Sequence, residues 1–113
     1  MQQNPLSPAT RAAVQAFVQR VAAQYPVARA ILFGSRARGT ERPDSDADVA
    51  VLLKGHGDFL RTKLEMADIA FDVLLDTGIR IQPLPIWEDE WEHPEQYSNP
   101  ELLKNIEREG IAL

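Results

Sequence analysis

Two short apolar runs, residues 29–33 (RAILF) and 48–53 (DVAVLL), bracket a strongly polar segment, and this arrangement constrains the chain more than any other feature. Each run has the length and the β-branched or aromatic content of a strand. The polar segment reads Gly34-Ser35-Arg36-Ala37-Arg38-Gly39 and then Pro43-Asp44-Ser45-Asp46-Ala47-Asp48. Residues 35–45 have no apolar periodicity beyond Ala37, which predicts a loop or a turn with a short helix.

The residue types in this segment point to phosphate and metal chemistry. A glycine directly after a strand lets backbone approach a ligand closely and can adopt positive φ. Ser35 beside it offers a hydroxyl and an amide to phosphate oxygens, and Arg36 and Arg38 can add charge-assisted hydrogen bonds to the same group. Asp46 and Asp48 stand two apart at the mouth of the second strand, where a period of two turns both carboxylates to one face. Two converging hard oxygen ligands beside a phosphate cradle suit Mg²⁺, which prefers a few carboxylates, water and substrate phosphate. The alternative is a loop whose aspartates cap turns.

Around this pair the chain reads as α-β-β-α-β-α. A first helix is expected over 8–24, capped by Ser7, started by Pro8 and ended by Pro26, with Val14, Phe17, Val18 and Val21 as its apolar stripe. A second is expected over 58–77, with Leu60, Leu64, Ala67, Phe71 and Leu74 forming the face turned to the core and Gly78 just past its end. Residues 79–86 (IRIQPLPI) read as a third strand, held to a sheet edge by Pro83 and Pro85. Residues 87–98 are expected to be irregular or weakly helical. A last helix follows, with Asn99 as cap, Pro100 at its first position and Gly110 past its end. The fold class is therefore α/β (or α+β): one small domain over residues 1–113, with a mixed sheet and helices packed on it.

Composition narrows the function. The chain has no cysteine, which excludes disulfides, thiolate metal sites and a thiol nucleophile. No apolar run is long enough to span a bilayer and the start is no secretory signal, so the cytoplasm is the expected location. Residues 1–86 carry ten Lys+Arg and nine Asp+Glu, whereas residues 87–113 carry two and eight, a net of −6. Without a clustered basic face, a nucleic-acid partner is not expected. The acidic end suits a basic protein surface, or simply solubility.

Gly34-Ser35, about ten residues, then Asp46-x-Asp48 opening the next strand resembles the signature of the polymerase-beta-like nucleotidyltransferases, and within them the minimal nucleotidyltransferase branch. The resemblance covers residues 29–53 firmly and the flanking elements loosely. It implies attack on the α-phosphorus of a nucleoside triphosphate with loss of pyrophosphate. Asp46 and Asp48 would be catalytic metal ligands, and Gly34 and Ser35 would hold the β- and γ-phosphates, with Mg²⁺ as cofactor and ATP as donor. Members of this branch pair with a small helical HEPN protein in modules resembling toxin–antitoxin systems and silence it by transferring AMP to a tyrosine hydroxyl. The other reading is a nucleotide-binding partner that neutralises a toxin by complex formation. One departure bears on turnover. The family places a third carboxylate on the strand after the second helix, where this chain has Arg80 and Gln82; Asp72 and Asp76 on the preceding helix are more naturally solvated acids.

Two weaker features complete the reading. Trp87 and Trp91, four apart, would share a face of any helix there and either anchor a partner or cover a sheet edge. His56 and His93 stand in polar turns and read as surface residues.

Overall fold

A computed structural model describes residues 6–40, 42 and 45–113 of the chain. Helix α1 runs Pro8–Ala22, strand β1 Val27–Phe33, the short helix α2 Ser35–Arg38, strand β2 Ala47–Leu53, helix α3 Phe59–Thr77 and strand β3 Ile81–Trp87. Helix α4, Glu88–Glu92, and a 3₁₀ turn, Pro94–Gln96, lead to helix α5, Pro100–Glu109, and to a two-residue strand β4, Ile111–Ala112. The strand order is β3-β2-β1-β4. β1 is antiparallel to both of its neighbours, and β2 and β3 are parallel. That parallel pair requires a crossover, and α3 supplies it.

The caps expected at Ser7, Gly78 and Asn99 form, and Asp58, expected inside its helix, adds another. Ser7 accepts from the Thr10 amide at 3.1 Å, with Pro8 opening α1. Asp58 accepts from the Arg61 amide at 3.3 Å, and Gly78, at φ 78°, closes α3 in the left-handed conformation that glycine adopts without strain. Asn99 accepts from the Leu102 amide at 3.3 Å with Pro100 next to it. β3 lies at a sheet edge, consistent with its two prolines.

The sheet has a core on each face. On one side Val14, Phe17 and Val21 of α1 and Met66, Ile69 and Val73 of α3 pack with Leu32, Val49 and Val51. On the other, Leu103 and Ile106 of α5 cover Ile31, Ala50, Leu52 and Ile86. Side chains alternate between these two cores along each strand, as strand geometry requires. The tryptophans divide between the two clusters. Trp87 is buried on the first face, and Trp91 packs on the second, beneath the Arg29 guanidinium at 5.8 Å. They cover the sheet.

One expectation about the core fails. The inward face of α3 is Thr62, Met66, Ile69, Ala70 and Val73. Leu60, Leu64, Ala67 and Phe71 of the expected core stripe are exposed, and Leu74 is half-buried. The helix carries two apolar stripes, both at helical spacing, so period alone could not choose between them. The short link after Gly78 settles the choice, because Ile79 and Ile81 enter β3 within the same cluster as Val73. Among the described residues no helix is long and apolar enough to cross a membrane.

Candidate active site

The end of β1 meets the beginning of β2 and β3. Phe33 pairs with Asp48, and Asp48 with Gln82, so three adjacent strands set these positions side by side on one face. Ala47 and Val49 turn to the opposite face, where both are fully buried, which leaves Asp46 and Asp48 together on the α5 side. Both are half-buried. Ala47 donates its amide to Arg80 O at 2.8 Å, extending the parallel pairing to the mouth of the site.

Gly34 is fixed by its neighbour. Its φ is 80°, and a Cβ there would collide with Asp48 Oδ2. The glycine thus does two things, turning the chain out of β1 and leaving room for the carboxylate. Its carbonyl accepts from the Ala37 and Arg38 amides, both at 3.1 Å, which winds α2 directly onto it. The first amides of such a turn have no intrahelical acceptor, and they lie here at Ser35 and Arg36.

Burial raises the Asp48 carboxyl above its ordinary value, the Asp46 charge pushes in the same direction, and Arg38 opposes both. Two carboxylates brought together in this way suit a hard cation. Asp46 meets two groups of β3. Gln82 Nε2 donates to Asp46 Oδ2 at 3.2 Å, and Arg80 Nε stands 4.0 Å from Asp46 Oδ1. The third position of the site is therefore filled by an amide that donates to the pair. Among the described residues no third Asp, Glu, His or Cys joins them, and Asp76 is turned away to Arg20 at 2.8 Å.

The two arginines of α2 separate. Arg38 is exposed and reaches toward Glu109 at 3.5 Å. Arg36, expected at the phosphates, is buried. Its Nε donates to Ser45 O at 2.9 Å and its Nη1 to Thr10 Oγ1 at 3.0 Å. Those bonds tie α1 and α2 to the segment that delivers Asp46, so in this structure Arg36 braces the site from behind. Thr10 gave no sequence signal for this role; a buried hydroxyl in the first turn of α1, bonded also to Ser7 Oγ at 2.8 Å, is legible only once the elements pack. Pro43 and Asp44 lie outside the described residues. His56 and His93 are exposed, facing Asp89 at 3.0 Å and Glu95 at 3.4 Å, away from this cluster.

A crystal structure of a candidate nucleotidyltransferase from Sulfolobus solfataricus shares the fold, with a TM-score of 0.50 and 21% identity over 76% of this chain and 79% of that one. Comparison with curated proteins gives no match. The model of the nucleotidyltransferase domain matches residues 14–113, which takes in the three strands that meet at the carboxylate pair, and the chain belongs to that family.

Proposed function

We propose that this chain is a magnesium-dependent nucleotidyltransferase that moves AMP from ATP to a hydroxyl on a small helical protein, of the HEPN type that minimal nucleotidyltransferases are paired with. The observation that carries the reading is the strand register that sets Asp48 beside Phe33 and against Gly34, with Asp46 on the same face. In this reading Ser35 and the adjacent amides hold the β- and γ-phosphates, and exposed Arg38 adds charge to them. Asp46 and Asp48 hold Mg²⁺, which when bound neutralises charge on the triphosphate and positions the reacting oxygens.

The reaction requires little else of the chain. The acceptor hydroxyl oxygen attacks the α-phosphorus, the bond from that phosphorus to the bridging oxygen breaks, and pyrophosphate leaves with the electron pair. Gln82 cannot take up the hydroxyl proton, so the proton passes to water, and turnover is slow beside a site with a third acid.

A second reading has its own observation. The Gln82 amide bonded to Asp46 suits a protein that binds nucleotide and neutralises its partner by complex formation. Incubation with a small helical protein of the HEPN type and ATP labelled at either the α- or the γ-phosphorus separates the two. Label on the partner from α-labelled ATP alone supports transfer. A stable complex and retained ATP binding with no covalent label would replace transfer with the second reading.

A further inference from the structure

A surface cavity of about 190 Å³ lies between α3 and β3. Ala67, Phe71 and Leu74 of α3 and Pro83 of β3 give it apolar walls, and Arg80 and Gln82 complete its lining. The two polar residues belong to the carboxylate site as well. Gln82 Nε2 donates to Asp46 Oδ2 at 3.2 Å, and Arg80 Nε is 4.0 Å from Asp46 Oδ1. Cavity and carboxylate pair therefore share a wall.

Strand order says which reactant comes from this side, given the transfer reading on which the inference rests. In an in-line displacement the attacking and leaving oxygens stand on opposite sides of the phosphorus. Pyrophosphate leaves toward Ser35 and the α2 amides, at the end of β1, and the carboxylates stand at the start of β2. β3 is the next strand on the far side. The attacking hydroxyl arrives over β3, where the cavity is. The nucleoside hangs from an oxygen that lies across this line rather than along it.

Size and lining identify the occupant. An apolar cavity of about 150 Å³ takes up benzene, whereas pockets for drug-sized molecules run to about 300–1,000 Å³. The space suits one ring. A purine would bring ring nitrogens and an amine that walls of Ala, Phe, Leu and Pro leave unpaired. A serine or threonine side chain is too short to fill it. An added strand is no better, because Ala47 donates to Arg80 O, and alternation then turns positions 83 and 85 outward, where two prolines offer no amide. We propose that this cavity is the acceptor subsite and takes an aromatic ring that carries the reacting hydroxyl. Phe71 and Leu74 grip and select the ring, and Arg80 is the positive charge on the side of the carboxylates.

The probe is p-cresol, a tyrosine side chain without its backbone, with Mn²⁺ in place of Mg²⁺ and α,β-methylene-ATP, whose bridge is not cleaved. With the full chain, Mn²⁺ should broaden the cresol proton resonances well beyond a sample without protein, while ethanol under the same conditions stays sharp. Ala67→Trp, at an exposed position of α3, puts a larger side chain into the cavity. It should abolish the broadening while the affinity for the ATP analogue stays within about twofold. If its thermal midpoint falls, Phe71→Ala takes its place. In labelled transfer to a HEPN-type partner, Phe71→Ala should lower kcat/KM for the acceptor about tenfold, the scale of one aromatic contact, and Phe71→Leu should recover part of it. Metal-dependent binding of the analogue with sharp cresol signals would overturn the subsite and leave the transfer reading standing. So would broadening that survives the cavity variants. An analogue that binds no better with Mn²⁺ than with EDTA would remove the transfer reading itself, and the subsite with it.

Discussion

The segment from Phe33 to Asp48 and the helix α3 both connect strands of the same sheet, yet the sequence determines them in different ways. In the first, the residues that build the site are each fixed by a neighbour: Gly34 by the Asp48 carboxylate, Asp48 by its pairing with Phe33, Arg36 by Thr10 and Ser45 O. In the second, the caps fix where the helix starts and stops, but two apolar stripes compete for the interior and tertiary packing chooses between them. Local chemistry specifies position; periodicity specifies only the kind of element.

The largest expected effect breaks the first region. Asp46→Asn with Asp48→Asn should cost about 10³-fold or more in nucleotide transfer, the scale on which charge stabilisation at a reaction centre operates. Stability should move the other way. The folded Asp48 carboxyl titrates above its unfolded value, so in the wild type this group lowers stability progressively as pH rises from the unfolded pKa through the folded one. Without added metal the double variant should therefore melt higher than wild type at neutral pH, and the gap should close in acid. A variant that melts lower at neutral pH would mean the carboxylates hold the fold together and have been misread.

The second region is tested by comparing its two faces. Met66 is fully buried in the core beneath the sheet, so Met66→Ala should destabilise by about 2–5 kcal/mol. Leu64→Ala, two residues earlier on the outward face, should fall within about 0.5 kcal/mol. Urea unfolding measures both. Similar losses at the two positions would restore Leu64 to the core.

These two regions also divide what was legible in advance. The elements, the three helix caps, the edge position of β3 and the convergence of Asp46 with Asp48 and Gln82 follow from strand parity, turn residues and capping chemistry, all of which act over a few residues. Strand β4 was missed because two residues carry no periodic signal; Ile111 and Ala112 become a strand only by pairing with Leu32 and Ile31. The tryptophans and the α3 stripe were ambiguous for one reason. An apolar residue at helical spacing states that it seeks cover without stating from what.

Gln82 sharpens the comparison inside the site. It now donates to Asp46 at 3.2 Å, so Gln82→Glu exchanges a donor for a third acid in the same place. With magnesium, transfer should rise by about 10²-fold, the low end for an added general base. With EDTA, the variant should melt lower than wild type, because three carboxylates then repel one another. Slower transfer combined with an unchanged melt would mean that the acceptor proton leaves by a route that does not pass this position.

The smallest effect separates two residues that the sequence presents as equals. Arg36 and Arg38 flank Ala37 in one short helix, and either could have met a phosphate. Arg36→Ala leaves Ser45 O without its side-chain donor and Thr10 Oγ1 with Ser7 Oγ alone, and should cost about 1–3 kcal/mol of stability. Arg36→Lys should recover only part of this, since an ammonium cannot span two acceptors held by a planar fork. Arg38 is exposed, and its 3.5 Å contact with Glu109 is a surface pair worth at most about 1 kcal/mol, so Arg38→Ala should leave the melt nearly unchanged. Under the proposed function its loss should instead weaken ATP binding and flatten the dependence of that binding on salt, because one exposed charge at the proposed phosphate site is gone. Calorimetric titration of the two alanine variants, each beside its melting curve, decides the matter. If Arg36→Ala loses ATP affinity at full stability while Arg38→Ala loses neither, the buried guanidinium is the phosphate ligand and the division of labour drawn here is reversed.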